Sequence, residues 1–190
     1  MNRSTIIPLV IILLVSAGCA KDKPRRISPV HPVAETSPYL CDLVPEASFR
    51  RVSGIATPLE DSWSNGPQPD NGLCLVRTGK QPPPLGVYWS FNKGEQIVRN
   101  KRAESKEDAT YRDLPPELGD GVATTDGSNG LSSRDNLVVA MFRCGERKPW
   151  ISIDFVPVVR GRDAVQDMVD FMRIAQKRFG QIHKCTPRPR

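Results

Sequence analysis

The sequence contains few of the side chains on which most hydrolytic and metal enzymes depend. It has two histidines, His31 and His183, and aromatic residues fill 6% of its 190 positions. No G-x-S-x-G elbow, S-x-x-K, H-E-x-x-H or phosphate-cradling glycine loop occurs in it. We therefore expect no catalytic residues, no cofactor and no metal ion, and a protein that binds rather than catalyses.

Long hydrophobic runs are also scarce. Beyond the first 19 residues no apolar stretch approaches the length of about 20 residues that a membrane-spanning helix needs. Apolar residues make up 38% and charged residues 25% of the chain, alongside 14 glycines and 18 prolines. This composition predicts one modest hydrophobic core and excludes a polytopic membrane protein, a coiled coil, a collagen-like chain and a wholly disordered one.

Basic residues outnumber acidic ones, which gives a formal net charge of +6. Such an excess is compatible with anionic lipids, cell-wall polymers or nucleic acid as partners. The few aromatic residues do not alternate with basic ones in the way that is typical of nucleic-acid binding. We therefore expect anionic lipids or wall polymers as partners and no nucleic acid.

The first 19 residues have the organisation of a secretory signal peptide. Arg3 supplies a positive charge, residues 6–15 are apolar, and small residues at 16–18 precede Cys19. This arrangement resembles the lipobox of bacterial lipoproteins. The resemblance implies cleavage after Gly18 and a diacylglyceryl thioether on Cys19, whose two acyl chains would anchor the protein to the membrane. The alternatives are an ordinary cleaved signal peptide with a fortuitous cysteine, and an uncleaved N-terminal anchor.

Composition divides the chain into three segments. Residues 1–18 are the predicted lipoprotein signal peptide, and residues 19–38 are the acylated cysteine followed by a disordered basic and proline-rich tether. The basic residues of this tether would contact anionic headgroups, at about 1 kcal/mol each, or serve only as a solubilising linker. Residues 39–190 are predicted to form a single extracytoplasmic domain.

The domain is predicted to be α+β, with an antiparallel sheet of about five strands packed against a C-terminal helix. Alternating apolar residues predict strands at 73–78, 85–91, 122–125, 137–143 and 150–159. A short helix is expected after Cys41, and loops or turns are expected at 57–72 and 126–130. Residues 99–113 are charged and are expected to be weakly helical or disordered. In the last strand, alternation places Asp154 on the solvent side.

The C-terminal helix is predicted over 163–179. Asp163 is suited to cap its first turn, with Gln166 completing a capping box, and Gly180 is suited to a left-handed C-terminal cap. The apolar residues at helical spacing are Val165, Met168, Val169, Met172, Ala175 and Phe179. They define one stripe, which we expect to pack on the sheet.

Four cysteines remain after acylation: Cys41, Cys74, Cys144 and Cys185. An even number in an exported chain implies two disulfides, with three possible connectivities. We expect the pairs Cys41–Cys74 and Cys144–Cys185, because each would staple neighbouring predicted elements; the alternative is that one pair stays reduced and buried. Oxidation of Cys185 would also exclude a reactive thiol beside His183.

Several features together resemble the small, mostly uncharacterised lipoproteins of actinobacteria. They are the lipobox, the short tether, the Cys41-Asp42-Leu43 segment, the Leu73-Cys74-Leu75 strand and the glycine-aspartate turn of 118–123. The resemblance implies a location and a fold and transfers no site, so Gly119 and Gly121 are interpreted as turn residues with positive φ. We expect a non-enzymatic accessory or binding module at the cell envelope. The alternatives are a carrier of a small apolar ligand or lipid, and an envelope enzyme with an unrecognised site.

Overall fold

A computed structural model of the chain describes residues 32–64, 70–79, 82–106, 110–125 and 134–189. The strands are β1 Tyr39–Leu40, β2 Val44–Pro45, β3 Glu60–Trp63, β4 Asn71–Arg77, β5 Leu85–Ser90, β6 Arg112–Asp113, β7 Asp120–Thr124, β8 Asn136–Met141, β9 Arg143–Cys144, β10 Trp150–Phe155 and β11 Pro187–Arg188. The helices are α1 Glu46–Ser53, α2 Gly94–Ser105 and α3 Ala164–Ile182. Cys19, His31 and the predicted turn at 126–130 lie outside the described residues.

The main sheet has seven strands in the order β3-β4-β5-β10-β8-β7-β6, and every neighbouring pair is antiparallel. This confirms the predicted α+β class and the antiparallel sheet, with more strands than the five expected. The prediction of a loop at 57–72 is wrong over Glu60–Trp63, which forms the edge strand β3. Its sequence, EDSW, is too short and polar to show an alternating pattern.

One face of the sheet carries the larger core and is covered by α1 and α3. The inward residues of β10 are Ile151, Ile153 and Phe155, all fully buried as the alternation predicted. The strand ends at Phe155, ahead of Pro157, which cannot donate a ladder hydrogen bond. The predicted packing of the C-terminal helix on the sheet is confirmed.

The N-terminus of α3 is capped as predicted. The Asp163 carboxylate accepts a hydrogen bond of 3.1 Å from the backbone N–H of Gln166. The Gln166 amide, however, donates to Asp170 one turn further on, so the reciprocal half of the expected capping box does not form. A single side-chain cap therefore defines this helix start.

The predicted role of Gly180 is wrong. The helix continues through it to Ile182, and the left-handed residue is Lys184, with a φ of 54°. A Cβ atom at position 180 would lie 2.6 Å from the carbonyl oxygen of Cys185. Glycine is needed here because the C-terminal segment folds back against the helix.

The polar face of the last predicted strand is expected to face solvent. This second face of the sheet is instead partly covered by α2. Residues 99–105 of this helix belong to the segment 99–113, which is expected to be weakly helical or disordered, and the helix begins earlier, at Gly94. A smaller apolar cluster forms beneath it from Val98, Val122, Val139, Met141 and Trp150. The domain therefore has helices on both faces of one sheet.

Asp154 lies on this second face, and the prediction that it is exposed is wrong. Its side chain is 25% exposed and pairs with the Arg134 guanidinium. Burial raises the pKa of the Asp154 carboxyl, although the positive charge of Arg134 acts in the opposite direction. The carboxylate therefore acts as the partner of an ion pair.

Only one glycine of the glycine-aspartate segment at 118–123 has the predicted conformation. Gly119 has a φ of 89°, which favours glycine. Gly121 lies within β7 without a positive φ, and a Cβ there would overlap the carbonyl oxygen of Val139. Its function is close packing rather than a turn.

Both predicted disulfides are present. Cys41–Cys74 joins the turn between β1 and β2 to β4, with the two Cα atoms 5.7 Å apart. Cys144–Cys185 joins β9 to the segment that follows α3, with a Cα separation of 5.4 Å. Within the part of the chain that the structure describes, no helix has both the length and the apolar character needed to cross a bilayer.

The last residues of the predicted tether contact the domain. The Ser48 hydroxyl accepts a hydrogen bond from the Ala34 N–H and donates one to the Ala34 carbonyl, at 3.0 and 2.8 Å. Glu35 pairs with Lys177 of α3 at 2.7 Å. These contacts hold residues 34–35 against both α1 and α3.

Candidate functional site: an aromatic pocket

A cavity of about 320 Å³ lies where the C-terminal end of α3 meets one end of the sheet. It is lined by Cys41, Asp42, Leu43, Trp63, Asn71, Gly72, Trp89, Phe179, Ile182 and His183. We call it the aromatic pocket. Its walls come from the β1–β2 turn, from strands β3, β4 and β5, and from the last turn of α3, so it exists only in the folded domain.

The indole of Trp89 occupies the centre of a group of rings. Its centroid lies 5.4 Å from that of Phe179 and 4.7 Å from that of His183, and both contacts are edge-to-face. The His183 imidazole stacks on Phe179 at 4.0 Å. Such ring pairs fix one another's orientation and give the pocket flat apolar walls.

Gly72 allows a second indole to reach the pocket. A Cβ atom at this position would lie 2.6 Å from both the Trp63 ring and the Trp89 ring. The two indoles therefore lie against the same bare stretch of β4 backbone. Any larger residue at position 72 would force them apart.

The His183 imidazole is the titratable group deepest among these rings. Burial lowers its pKa, and the positive charge of Arg147 lowers it further. The group is therefore neutral at pH 7, which suits stacking on Phe179. Asp42 and Asn71 supply the other polar side chains of the lining.

Two arginines pack on aromatic rings next to the residues that line the pocket. Arg147 lies over the Phe91 ring, 3.3 Å from its centroid, and also pairs with Asp70. Arg178 lies 4.2 Å over the Tyr39 ring and donates a hydrogen bond of 3.2 Å to the carbonyl oxygen of Asp42. Cation–π contacts of this kind hold the flanking rings in place.

The described residues of this region form neither a reactive thiol site nor a metal site. The Cys41 and Cys74 sulfurs and an Asp61 carboxylate oxygen lie within 4.8 Å of one another, a spacing compatible with metal ligands. Both sulfurs are bonded to each other, however, and the Asp61 carboxylate accepts a 2.6 Å hydrogen bond from the Cys41 N–H. Cys185 is likewise oxidised, so His183 has no thiol partner there.

The sequence identified the cysteines that frame the pocket but not the pocket itself. Trp63 lies in the segment 57–72, which the sequence predicts to be a loop, and Phe179 belongs to the apolar stripe that is predicted to pack on the sheet. The spacing of Phe179 and His183, four residues apart, is the one local signal that places two pocket rings on one helix face. The remaining walls are brought together by tertiary contacts.

Comparisons of the chain with protein-family models, with curated proteins and with solved structures find no match. The resemblance to actinobacterial lipoproteins therefore stays a prediction from the sequence.

Proposed function

We propose that the protein is an extracytoplasmic, lipid-anchored binding module that holds a small apolar ligand in the aromatic pocket. The observation that carries this proposal is a cavity of about 320 Å³ walled by Trp63, Trp89, Phe179 and His183. Small-molecule sites are typically concave, largely apolar and of about 300–1,000 Å³. The volume suits a compact ligand of up to three rings.

The walls favour a ligand with a flat apolar face. Aromatic side chains offer ring faces and edges at which another ring can stack. The neutral imidazole of His183 extends this apolar surface at pH 7. A single carboxylate, that of Asp42, and the amide of Asn71 are available to orient a polar substituent of the ligand.

The proposed location rests on the cysteines. Two disulfides are typical of proteins that fold in an oxidising, extracytoplasmic compartment. The proposed anchor is the lipid on Cys19, at the end of a segment organised like a signal peptide. Anionic lipids or wall polymers remain the proposed partners of this positively charged chain.

Replacement of one indole tests the pocket. We expect the full chain to bind N-phenyl-1-naphthylamine, an uncharged fluorescent probe, and the Trp63→Ala variant to bind it at least about tenfold more weakly. The reason is that loss of a ring contact of about 1.4 kcal/mol corresponds to tenfold in affinity. Fluorescence titration of the purified proteins measures the change.

The Val159→Ala variant is the matched control, since Val159 is an apolar residue that is 37% exposed and lies outside the pocket. It should bind the probe as the unchanged protein does. Equal binding by Trp63→Ala, with both disulfides intact, would refute the pocket as the binding site. Equal losses in the two variants would show that the probe binds exposed apolar surface without selectivity.

The anchor is tested separately. The Cys19→Ala variant should incorporate no labelled fatty acid in cells and should remain uncleaved after Gly18, because the thioether forms on the cysteine sulfur. Metabolic labelling and the mobility of the chain on a denaturing gel measure both effects. Persistent lipid labelling would end the lipoprotein hypothesis and would leave the pocket proposal intact.

A further inference from the structure

Two arginines face each other at the C-terminal end of the chain. Strand β11 pairs with β9 in an antiparallel register that sets Arg188 directly opposite Arg143. Side chains in such a pair project from the same face, with Cβ atoms about 4.5–5.5 Å apart, and like charges there repel each other. The arrangement costs stability unless a negative group lies between them.

No such group is provided by the described residues. Arg143, Arg188 and the nearby Lys184 are exposed, and no carboxylate of the described residues lies within 4 Å of their charged nitrogens. Among the other arginines of the described residues, Arg102, Arg147 and Arg173 each have a carboxylate partner, whereas Arg77 and Arg99 are exposed without one. It is the direct opposition of two guanidiniums that sets Arg143 and Arg188 apart. The three cations at this end of the molecule therefore form a positively charged group without an internal counter-ion.

The three cations share a concave site. They line a pocket of about 400 Å³ together with Cys185, Thr186 and Glu146. Glu146 contributes one carboxylate to the lining and is not within 4 Å of any of the three cations, so the site keeps an excess of positive charge. The Thr186 hydroxyl adds a neutral hydrogen-bond donor.

The frame of this site is fixed on both sides. The Cys144–Cys185 disulfide ties the residue after Arg143 to the residue after Lys184. The Cys185 N–H also donates a hydrogen bond of 2.9 Å to the carbonyl oxygen of Gly180 in α3. These two links fix the backbone that carries the three cations, and a site with a preformed backbone loses less free energy on binding.

We propose that Arg143, Arg188 and Lys184 form a binding site for a phosphate group. A guanidinium presents parallel N–H donors that match two phosphate oxygens, and two guanidiniums on one face can contact one group from both sides. Lysine supplies a further point charge. The phosphate belongs either to a soluble phosphate ester or to the headgroup of an anionic lipid, and the two sources are separated below.

The test uses the purified full chain and isothermal titration calorimetry at low salt with two soluble probes. Glycerol 3-phosphate represents the soluble ester, and dihexanoylphosphatidylglycerol, below its micelle concentration, represents the lipid headgroup. We expect at least one probe to bind, and the Arg143→Gln/Arg188→Gln variant to bind it at least about tenfold more weakly. Dihexanoylphosphatidylcholine, whose headgroup has no net charge, should bind neither protein.

The matched control is Arg77→Gln/Arg99→Gln, which removes the same two charges from exposed positions on β4 and α2. It should keep the affinity within about twofold. Binding of the first probe assigns the site to soluble esters, and binding of the second alone assigns it to lipid headgroups. The proposal would be overturned if neither probe bound the protein, or if both double variants lost the same affinity for the probe.

This site is independent of the aromatic pocket. The Arg143→Gln/Arg188→Gln variant should bind N-phenyl-1-naphthylamine with unchanged affinity and should retain both disulfides in a non-reducing peptide map. A variant that lost naphthylamine binding as well would show a general structural defect, and the charge-conserving variant Arg143→Lys/Arg188→Lys would then decide. Weaker phosphate binding by the Arg143→Lys/Arg188→Lys variant supports recognition by the two guanidinium groups. Unchanged phosphate binding by this variant overturns that recognition.

Discussion

The Cys41→Ala/Cys74→Ala variant should lose about 4 kcal/mol of unfolding free energy. The disulfide closes a loop of 33 residues. Without that constraint the unfolded chain gains conformational entropy, which lowers its free energy by about 4 kcal/mol relative to the folded state. Both cysteines are fully buried, so alanine is the replacement that adds no unsatisfied hydroxyl. Urea unfolding followed by tryptophan fluorescence measures the change.

The same variant should also lose affinity for N-phenyl-1-naphthylamine, because Cys41 lines the aromatic pocket and its turn is held to β4 by the disulfide. The Cys144→Ala/Cys185→Ala variant is the matched control. It opens a loop of similar length, 41 residues, and neither of its cysteines lines the aromatic pocket. It should lose a similar unfolding free energy and keep its probe affinity. A loss of stability below about 1 kcal/mol in the first variant would contradict the assignment of this disulfide as a major staple.

The Asp167→Asn variant should be destabilised by about 3–5 kcal/mol. Asp167 accepts a 2.7 Å hydrogen bond from Arg162 Nε in the first turn of α3, and the two side chains are 6% and 8% exposed. This pairing raises the pKa of the Arg162 guanidinium. Removal of the carboxylate charge leaves a buried cation without its counter-ion, which is the costly way to break a buried pair.

Asp170→Asn is the matched control, because it removes the same type of charge from a solvent-accessible pair with Arg173 one turn along the helix. It should cost less than about 1 kcal/mol. The Arg162→Met/Asp167→Leu variant should recover most of the stability lost in Asp167→Asn, since neither charge then remains buried. Equal effects of Asp167→Asn and Asp170→Asn in urea unfolding would show that the Arg162 pair contributes no more than a surface pair.

The elements with a strong local pattern could be predicted from the sequence. Strand β10 alternates apolar and polar residues, and α3 carries a long apolar stripe after a capping aspartate. The disulfides followed from the number of cysteines and from which predicted elements they would join. For the strand and the helix the signal lies within about twenty residues of chain.

Features that depend on tertiary contacts could not be predicted in this way. Helix α2 buries Val98 as its one fully buried large apolar residue, too little for a visible stripe, and it is stabilised by the sheet below. Asp154 follows the pattern of an exposed residue, yet Arg134 and the neighbouring backbone enclose it. The aromatic pocket combines residues from five separate segments, and the bare backbone at Gly72 that admits its indoles carries no periodic signal.

Both outer strands of the sheet are short and charged. Glu60 and Asp61 lie on β3, and Arg112 and Asp113 make up all of β6. Unpaired strand edges are templates for another chain, and short, charged edges oppose such addition. A population concentrated on a membrane by its proposed anchor would meet neighbouring copies often. These edges should keep such copies from joining into continuous sheets, so the protein is expected to remain free of fibrous aggregates even when it is crowded.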